Sequence, residues 1–220
     1  MKTTKKKFVI IDAMALTYKA YFAFINRPLK TSKGEPTSAV YGFVNQLIKI
    51  YEDNKPDYIA VAFDSKEKTF RHDKFENYKA TRAEMPEDMI PQIQRIKQII
   101  ELLDIPIYIL SRYEADDIIG TAVCLAEAQG FESYVITPDK DFNQLITDNV
   151  KIVRPGKTTD EIVIFDKAKV KEEFGFEPKQ MIDYLALVGD SSDNIPGVAG
   201  VGPVSALPLI LKYGSVEGIY

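Results

Sequence analysis

Apolar residues along this chain recur with two alternating periods. Short β-rich runs are "FVIID" (Phe8 to Asp12), "YIAVAFD" (Tyr58 to Asp64), "IPIYIL" (Ile105 to Leu110) and "SYVIT" (Ser133 to Thr137). Between them, apolar positions fall three and four apart. In "PTSAVYGFVNQLIKIYEDN", opened by Pro36, the residues Val40, Phe43, Val44, Leu47, Ile48 and Tyr51 share one helical face. "MIPQIQRIKQIIELL" repeats the pattern, and the segment starting near Ile118 carries it to a stop at Gly130. Short apolar runs read as buried strands, and the 3.6-residue period as amphipathic helices. Strand–helix alternation predicts an α/β fold: a doubly wound, mainly parallel sheet with helices on both faces.

Two stretches break the alternation. "SKEKTFRHDKFENYKATRAEMPEDM" (Ser65 to Met89) is charged, interleaved with aromatics and too long for a simple connection. The tail "VGDSSDNIPGVAGVGPVSALPLILKYGS" is punctuated by glycine and reads as a small helical appendage. The expected organisation is a core over residues 1–180 and an appendage over 181–220.

At 220 residues, with 45% hydrophobic and 27% charged residues, the composition is that of a globular chain. No apolar stretch approaches the ~20 residues that span a bilayer. "MKTTKKKFVIIDAM" starts basic, but its apolar run breaks at Asp12, so it predicts a first strand instead of a signal peptide. Cys124 is the only cysteine, which excludes a disulfide framework and points to a reducing cytoplasm. His72 is the only histidine, so a histidine triad or zinc site has little support. The net charge of −4 conceals an asymmetry: residues 1–82 hold 16 Lys/Arg against 9 Asp/Glu, and residues 83–220 hold 12 against 23. A basic half joined to an acidic half suits a protein that grips a polyanion with one region and holds cations with the other.

The acids fall at strand ends. Asp12 ends the first predicted strand and Asp64 the second; Glu114, Asp116 and Asp117 follow the third, and Asp139 and Asp141 the fourth. In open parallel sheets, ligands bind outside the carboxyl ends of the strands. A single strand-terminal Asp is ordinarily a cap or turn residue, and acids also favour helix N-termini. Repetition at four consecutive strand ends needs another cause, because unpaired carboxylates a few ångströms apart repel by about 1 kcal/mol per pair even in water. Divalent cations supply one. An all-oxygen donor set favours Mg²⁺, with Mn²⁺ as substitute, over zinc. Seven acids suit two metals, the arrangement used in phosphodiester hydrolysis. Residues 114 and 117 share a helical face while 116 lies nearly opposite. All three reach one site only if it sits off the helix end, with Glu114 at the cap.

"FVIIDAMALTYKAYFA", "AFDSKEKTFRHDKFENYKATR", "YEADDIIG", "ITPDKDFNQL" and "LVGDSSDNIPGVAGVGP" occur in the order found in the 5′-nuclease domain of bacterial DNA polymerase I, of the flap endonuclease family, which the chain resembles from about Phe8 to Tyr220. The resemblance implies a PIN-like α/β fold. It implies that Asp12, Asp64, Glu114, Asp116, Asp117, Asp139 and Asp141 are metal-site acids, and it adds Asp190 and Asp193 of "GDSSDN". It implies cleavage of 5′-flap, nicked or gapped duplex DNA, with RNA primers as further substrates, by a cytoplasmic monomer in replication and repair. The stretch from about 65 to 89 resembles the family's helical arch. Lys79 and Arg82 match its basic catalytic positions, and Arg71 and Tyr78 match as well. On physical grounds, cations there would track a nucleic-acid backbone while Phe70, Phe75 and Tyr78 stack on bases. Lys19 matches a phosphate-binding arginine. "IPGVAGVGPVSA" resembles the family's helix-turn-helix on duplex DNA, with Gly197, Gly200 and Gly202 letting backbone N–H groups approach phosphates, and with a K⁺ ion held by carbonyls.

The sequence also departs from the family pattern. Lys19 keeps the charge but not the arginine fork, Val204 replaces a commonly basic residue, and Pro208 sits where a long helix is expected. The last helix is therefore expected to begin late, capped by Ser205, and the duplex grip to be weaker. Two other readings stay open. A phosphatase of the HAD type would want a second Asp that "DAMAL" lacks, and a DNA-structure-binding module would have impaired catalysis.

Overall fold

In the computed structural model, which describes residues 5–156 and 162–220, the strand β1 (Lys7–Asp12) sends Val9 and Ile11 into one core and Ile10 into another. That is the two-residue period of a strand buried on both faces. It continues through β2 (Tyr58–Ala62), β3 (Ile107–Tyr108), β4 (Glu132–Ile136), β5 (Val150–Pro155) and β6 (Ile162–Phe165). The sheet order is β3-β2-β1-β4-β5-β6, with β1 to β5 parallel and β6 antiparallel.

Helices α1 (Ala13–Ala23), α2 (Ser38–Asn54) and, after the short α3 (Phe70–Lys74), α4 (Ile90–Leu102) cover the Val9 and Ile11 face with Leu16, Phe43, Leu47, Ile96 and Ile100. Helices α5 (Ala115–Ala128) and α6 (Lys167–Phe174) cover the other face with Ile119, Val123 and Val170. Connections leave β1 and β4 in opposite directions along the sheet. The carboxyl ends of those neighbours therefore flank the crevice where an open α/β sheet binds ligands.

The predicted sheet is present, with differences that have causes. The third strand keeps only two of the six residues expected, because it lies at the sheet edge and Ile109 and Leu110 turn out to be 46% and 52% exposed. Helix α1 follows β1 directly; its apolar residues crowd most of its positions, so no single stripe announced it. Strand β5 carries Lys151 and Arg154 among its apolar residues and gave no clean pattern, and β6 is only four residues long. Between 65 and 89 the only helices are α3 and a single 3-10 turn at Glu87–Met89. The rest of the expected arch is turn, held by its side chains rather than by i→i−4 bonds. Among the described residues, no helix is long and apolar enough to cross a membrane.

A third cluster belongs to the C-terminal part: Phe176, Met181, Leu187, Ala206 and Ile210 pack together. It is built from α7 (Met181–Val188), the ribbon β7 (Gly189–Asp190) and β8 (Ile195–Pro196), α8 (Pro203–Tyr213) and α9 (Val216–Ile219). The late start expected for α8 is corrected. The helix begins at Pro203, two residues before Ser205, and runs through Pro208. Proline is pre-organised for the first helical position. Pro208 forfeits one bond, to the carbonyl of Val204, but full burial of Ala206 and Ile210 keeps the helix continuous.

Candidate metal centre

The end of β1 sets the first carboxylate. Asp12 caps α1, accepting the Ala15 N–H at 3.1 Å on Oδ1 and the Thr137 hydroxyl at 2.9 Å on Oδ2. Thr137 follows β4, so this bond ties together the two strands that flank the crevice. Its hydroxyl oxygen also accepts the Asp139 N–H at 3.1 Å, and Asp139 Oδ1 accepts the Asp141 N–H at 2.9 Å. Asp64, two residues past β2, accepts the Ala115 N–H at 2.8 Å. Two separate sets of hydrogen bonds thus bring acids to one edge: Asp12, Asp139 and Asp141 through Thr137, and Asp64 through the first residue of α5.

Glu114 is the N-cap of α5, with extended backbone, and Asp117 reaches back to its N–H at 3.0 Å. This is a capping box built from acids. It puts the site off the helix end and lets Asp116 turn toward Asp12, Asp64 and Asp139. No donor among the described residues reaches the Asp116 carboxylate. Solvent enters through the open cleft, yet the walls strip away much of it. Burial pushes Asp116 up to about 8, and Asp12, Asp139 and Asp64 add to the rise, opposed by Lys79. Burial likewise raises Asp12 to about 6 despite its two donors, and raises Asp141 to about 6 with help from Asp139 and Asp190. Oδ1 of Asp141 is buried without a partner.

These features fit a hard divalent cation: oxygen donors only, one carboxylate without a hydrogen-bond donor, and one orphaned buried oxygen. As they stand, no three acidic or imidazole side chains among the described residues converge closely enough to hold an ion. Several oxygens are bonded to backbone amides, and others to cations.

Those cations come from the charged stretch. Arg71 grips Asp117 with a two-pronged bond at 2.7 and 2.8 Å. Burial alone would raise Asp117, but these bonds outweigh it and hold the acid below its ordinary value. Lys79 sits in left-handed backbone (φ 57°), fixed by its N–H on the Asp193 carbonyl at 2.9 Å, and its Nζ is 2.9 Å from Glu114. A lysine held in that region costs about 1–3 kcal/mol, strain of a kind that clusters at functional sites. Arg82 pairs with Asp193. The buried Tyr78 hydroxyl lies 2.9 Å from Glu114 and 2.8 Å from Asp193, and burial with these neighbours drives its pKa far above the ordinary value. Asn194 donates to the Asn77 carbonyl at 2.8 Å, so the segment also binds the C-terminal part.

Asp190 and Asp193 enter from the β7–β8 ribbon. Gly197 ends the ribbon packed against α7, where a Cβ would stand 2.4 Å from the Leu187 carbonyl oxygen. Gly200 needs its left-handed φ of 80°, and the space beside Gly200 and Gly202 is open. Together, Glu114, Asp116, Asp117, Asp141, Asp190 and Asp193 line one cleft of about 540 Å³ with Arg71 and Tyr78.

Some expected residues have other partners. Lys19 is held by the carbonyls of Pro155 and Gly156, the latter at 2.6 Å, at the end of β5. Tyr78 is only 4% exposed and faces acids, so it offers no platform for a base; Phe70 stacks under Arg71 instead, its ring centroid 4.7 Å from the guanidinium. Sequence reasoning missed Thr137, although its place directly after a strand and before Asp139 was a usable signal. It also missed Asn143, which lies inside the quoted stretch "ITPDKDFNQL" without an acid's charge to single it out, and its partner Arg154, which no local motif marks.

Residues 7–175 match the 5′-3′ exonuclease N-terminal resolvase-like domain, and residues 176–220 match the 5′-3′ exonuclease C-terminal SAM fold. The 5′-3′ exonuclease of Aquifex aeolicus is 42% identical over 214 residues, covering 97% of this chain and 72% of that protein. DNA polymerase I of Bacillus subtilis is 43% identical over 98% of this chain, but the match takes in only 24% of the polymerase. The chain thus spans about a quarter of the length of such relatives. The structure of the T5 D15 protein co-crystallized with metal ions superposes with a TM-score of 0.74 at 22% identity, covering 97% of this chain and 77% of that one. Flap endonuclease-1 from Methanococcus jannaschii gives 0.63 at 22% identity, covering 94% and 71%. At these identities the structures show a shared fold.

Proposed function

The chain belongs to the 5′-3′ exonuclease family, and from that premise we propose that it is a metal-dependent 5′-nuclease that hydrolyses phosphodiesters of 5′-flap, nicked or gapped duplex DNA, RNA-primed strands included. The observation that carries this reading is Asp116, a carboxylate with no hydrogen-bond donor among the described residues, ringed by Asp12, Asp64 and Asp139 at the switch point of the sheet, with a cationic segment beside it. The proposed cation ligands are Asp12, Asp64, Glu114, Asp116, Asp139, Asp141, Asp190 and Asp193, with Asp117 completing the set expected of the family. Mg²⁺ bound by these acids would supply a water of lowered pKa and would offset the charge of the phosphate.

The protein's own groups do the positioning. Thr137 fixes the Asp12 carboxylate and, through its bond to the Asp139 amide, sets the spacing between the two acids. Lys79 and Arg82 pair with Glu114 and Asp193, two acids that line the cleft, so a scissile phosphate approaching those acids comes within reach of their charge. Phe70 and the basic residues beside it suit a single strand entering from the arch side. The open space beside Gly200 and Gly202, ahead of the α8 N-terminus, suits a duplex phosphate, with a K⁺ ion at the turn. The setting is the bacterial cytoplasm, with the chain acting as a monomer.

The test is a single-turnover assay on an end-labelled 5′-flap duplex. Cutting near the single-strand/duplex junction with Mg²⁺, and none with EDTA, is expected. Binding of the flap without cutting at any Mg²⁺ concentration would instead identify a DNA-structure-binding module.

A further inference from the structure

Three of the buried side-chain polar atoms without a partner are Asp141 Oδ1, Asn143 Nδ2 and Arg154 Nε. They belong to one assembly. Asp141 opens the 3-10 turn Asp141–Leu145, and Asn143, fully buried, sits at its centre. Arg154 reaches that turn from the end of β5, donating from Nη2 to Asn143 Oδ1 at 2.6 Å. Its guanidinium lies flat on Phe165, 3.7 Å from the ring centroid. A partly buried charged side chain ordinarily pairs with a carboxylate. Arg154 has no ion pair among the described residues; its side-chain bond goes to an amide.

The consequence lies one step further on. The Asp141 N–H bonds to Asp139 Oδ1, and the Asp139 N–H to Thr137. The turn that Arg154 grips through Asn143 therefore begins with one of the acids assigned to the cation site, Asp141, and is hydrogen-bonded to a second, Asp139. Burial lowers the Arg154 pKa, and the fields of Glu173, Asp139 and Asp141 work against that loss, so its charge is felt at the same acids.

We infer that Arg154, acting through Asn143, is a positioning residue for the Asp139–Asp141 turn and so for divalent-cation binding at that side of the site. The inference rests on the reading of these acids as cation ligands. Phe165 keeps the guanidinium flat, the guanidinium fixes the Asn143 amide, and the amide fixes a turn too short to define its own geometry. Thr137 performs the same service for Asp12 and Asp139 from the other side.

The experiment is calorimetric titration of Mn²⁺ into the whole protein without DNA, with the Mg²⁺ concentration at half-maximal flap cutting read in parallel. Arg154→Met keeps the stack on Phe165 and removes the donors. It is expected to weaken Mn²⁺ binding at one site about tenfold and to raise the half-maximal Mg²⁺ to match, with KM for the flap unchanged within about twofold. That tenfold is about 1.4 kcal/mol, the size of one hydrogen bond to a charged group. Arg154→Lys, which retains a charged donor, is expected to recover part of the loss. Arg154→Met also strands the buried Asn143 oxygen and lowers stability, so Arg154→Met with Asn143→Leu serves as the second variant. It removes both polar partners and is expected to regain melting temperature while Mn²⁺ binding stays weak. Recovery of binding together with stability in the double variant would reduce Arg154 to a packing residue and overturn the inference, as would wild-type affinity in Arg154→Met. Absence of Mn²⁺ binding by the wild-type protein would overturn the reading of the site itself.

Discussion

The two halves of the acid cluster meet at α5 but are built on opposite plans. On the sheet side, Asp12, Asp64, Asp116 and Asp139 face one another with no basic side chain among the described residues within ion-pairing distance, and their bonds go to backbone amides and a threonine. On the loop side, Glu114, Asp117 and Asp193 are matched by Arg71, Lys79, Arg82 and the Tyr78 hydroxyl. The pKa directions follow the plan: Asp12 and Asp116 are raised, and Asp117 is held down. The difference teaches where the protein keeps charge in reserve. Repulsion persists on the sheet side, where an external cation relieves it first, while the loop-side acids, ligands in the same proposed set, also fasten a basic segment over the site until a cation competes for them. Strongly perturbed groups in a cleft are candidates for function on physical grounds, and here the two kinds of perturbation separate two kinds of role.

The contrast can be broken from either side. The largest effect is expected from Asp116→Ala, which should cut the single-turnover rate by at least ~10³-fold, as for loss of a preorganised electrostatic group. Flap binding measured in EDTA should be preserved or tightened, because one charge that repels phosphate is gone. Lys79→Ala comes next. A drop of ~10²–10³-fold in the chemical step is expected with the half-maximal Mg²⁺ unchanged within about twofold, and a parallel shift in Mg²⁺ dependence would contradict the division. Arg71→Ala should act mainly on stability. Loss of a part-exposed, two-pronged bond to Asp117 should cost roughly 1–2 kcal/mol in urea denaturation, discounted for solvent screening.

The sheet side also sets a pH signature. Asp12 and Asp116 bind protons more tightly folded than unfolded, so the folded state holds more protons between their ordinary value and their raised ones. Stability of the metal-free protein should therefore fall as pH rises from about 4 through 6 and on toward 8. Thermal melts in EDTA should show that decline, and Mg²⁺ should flatten it. A melting temperature that stays level or rises across the window would contradict the raised sheet-side acids, because Asp117, held below its ordinary value, gives up its contribution only at lower pH. The smallest effect is expected from Tyr78→Phe: about 1 kcal/mol of stability, with less than a tenfold loss of rate.

How much of this was legible beforehand depended on whether the signal was local. Strands β1, β2 and β4 and helices α2, α4 and α5 are set by their own apolar periods, and each acid's place at a strand end followed from them. The position of Glu114 at the cap of α5 followed from helix geometry alone. What could not be read was pairing across the chain. Arg71 with Asp117, Tyr78 between Glu114 and Asp193, and Arg154 with Asn143 join residues 11 to 115 positions apart, and nothing in either partner's neighbourhood encodes the other. The course of α8 through Pro208 was hidden for the same reason: burial of Ala206 and Ile210 in a distant cluster outweighs a local propensity.

The most direct test of the central claim, that the sheet-side carboxylates are where cations bind, is Mn²⁺ titration calorimetry of the wild-type protein beside Asp116→Asn, with circular dichroism to verify that both are folded. The account predicts that the substitution removes at least one equivalent of bound Mn²⁺ while leaving the fold intact. Full stoichiometry at wild-type affinity in Asp116→Asn would contradict it.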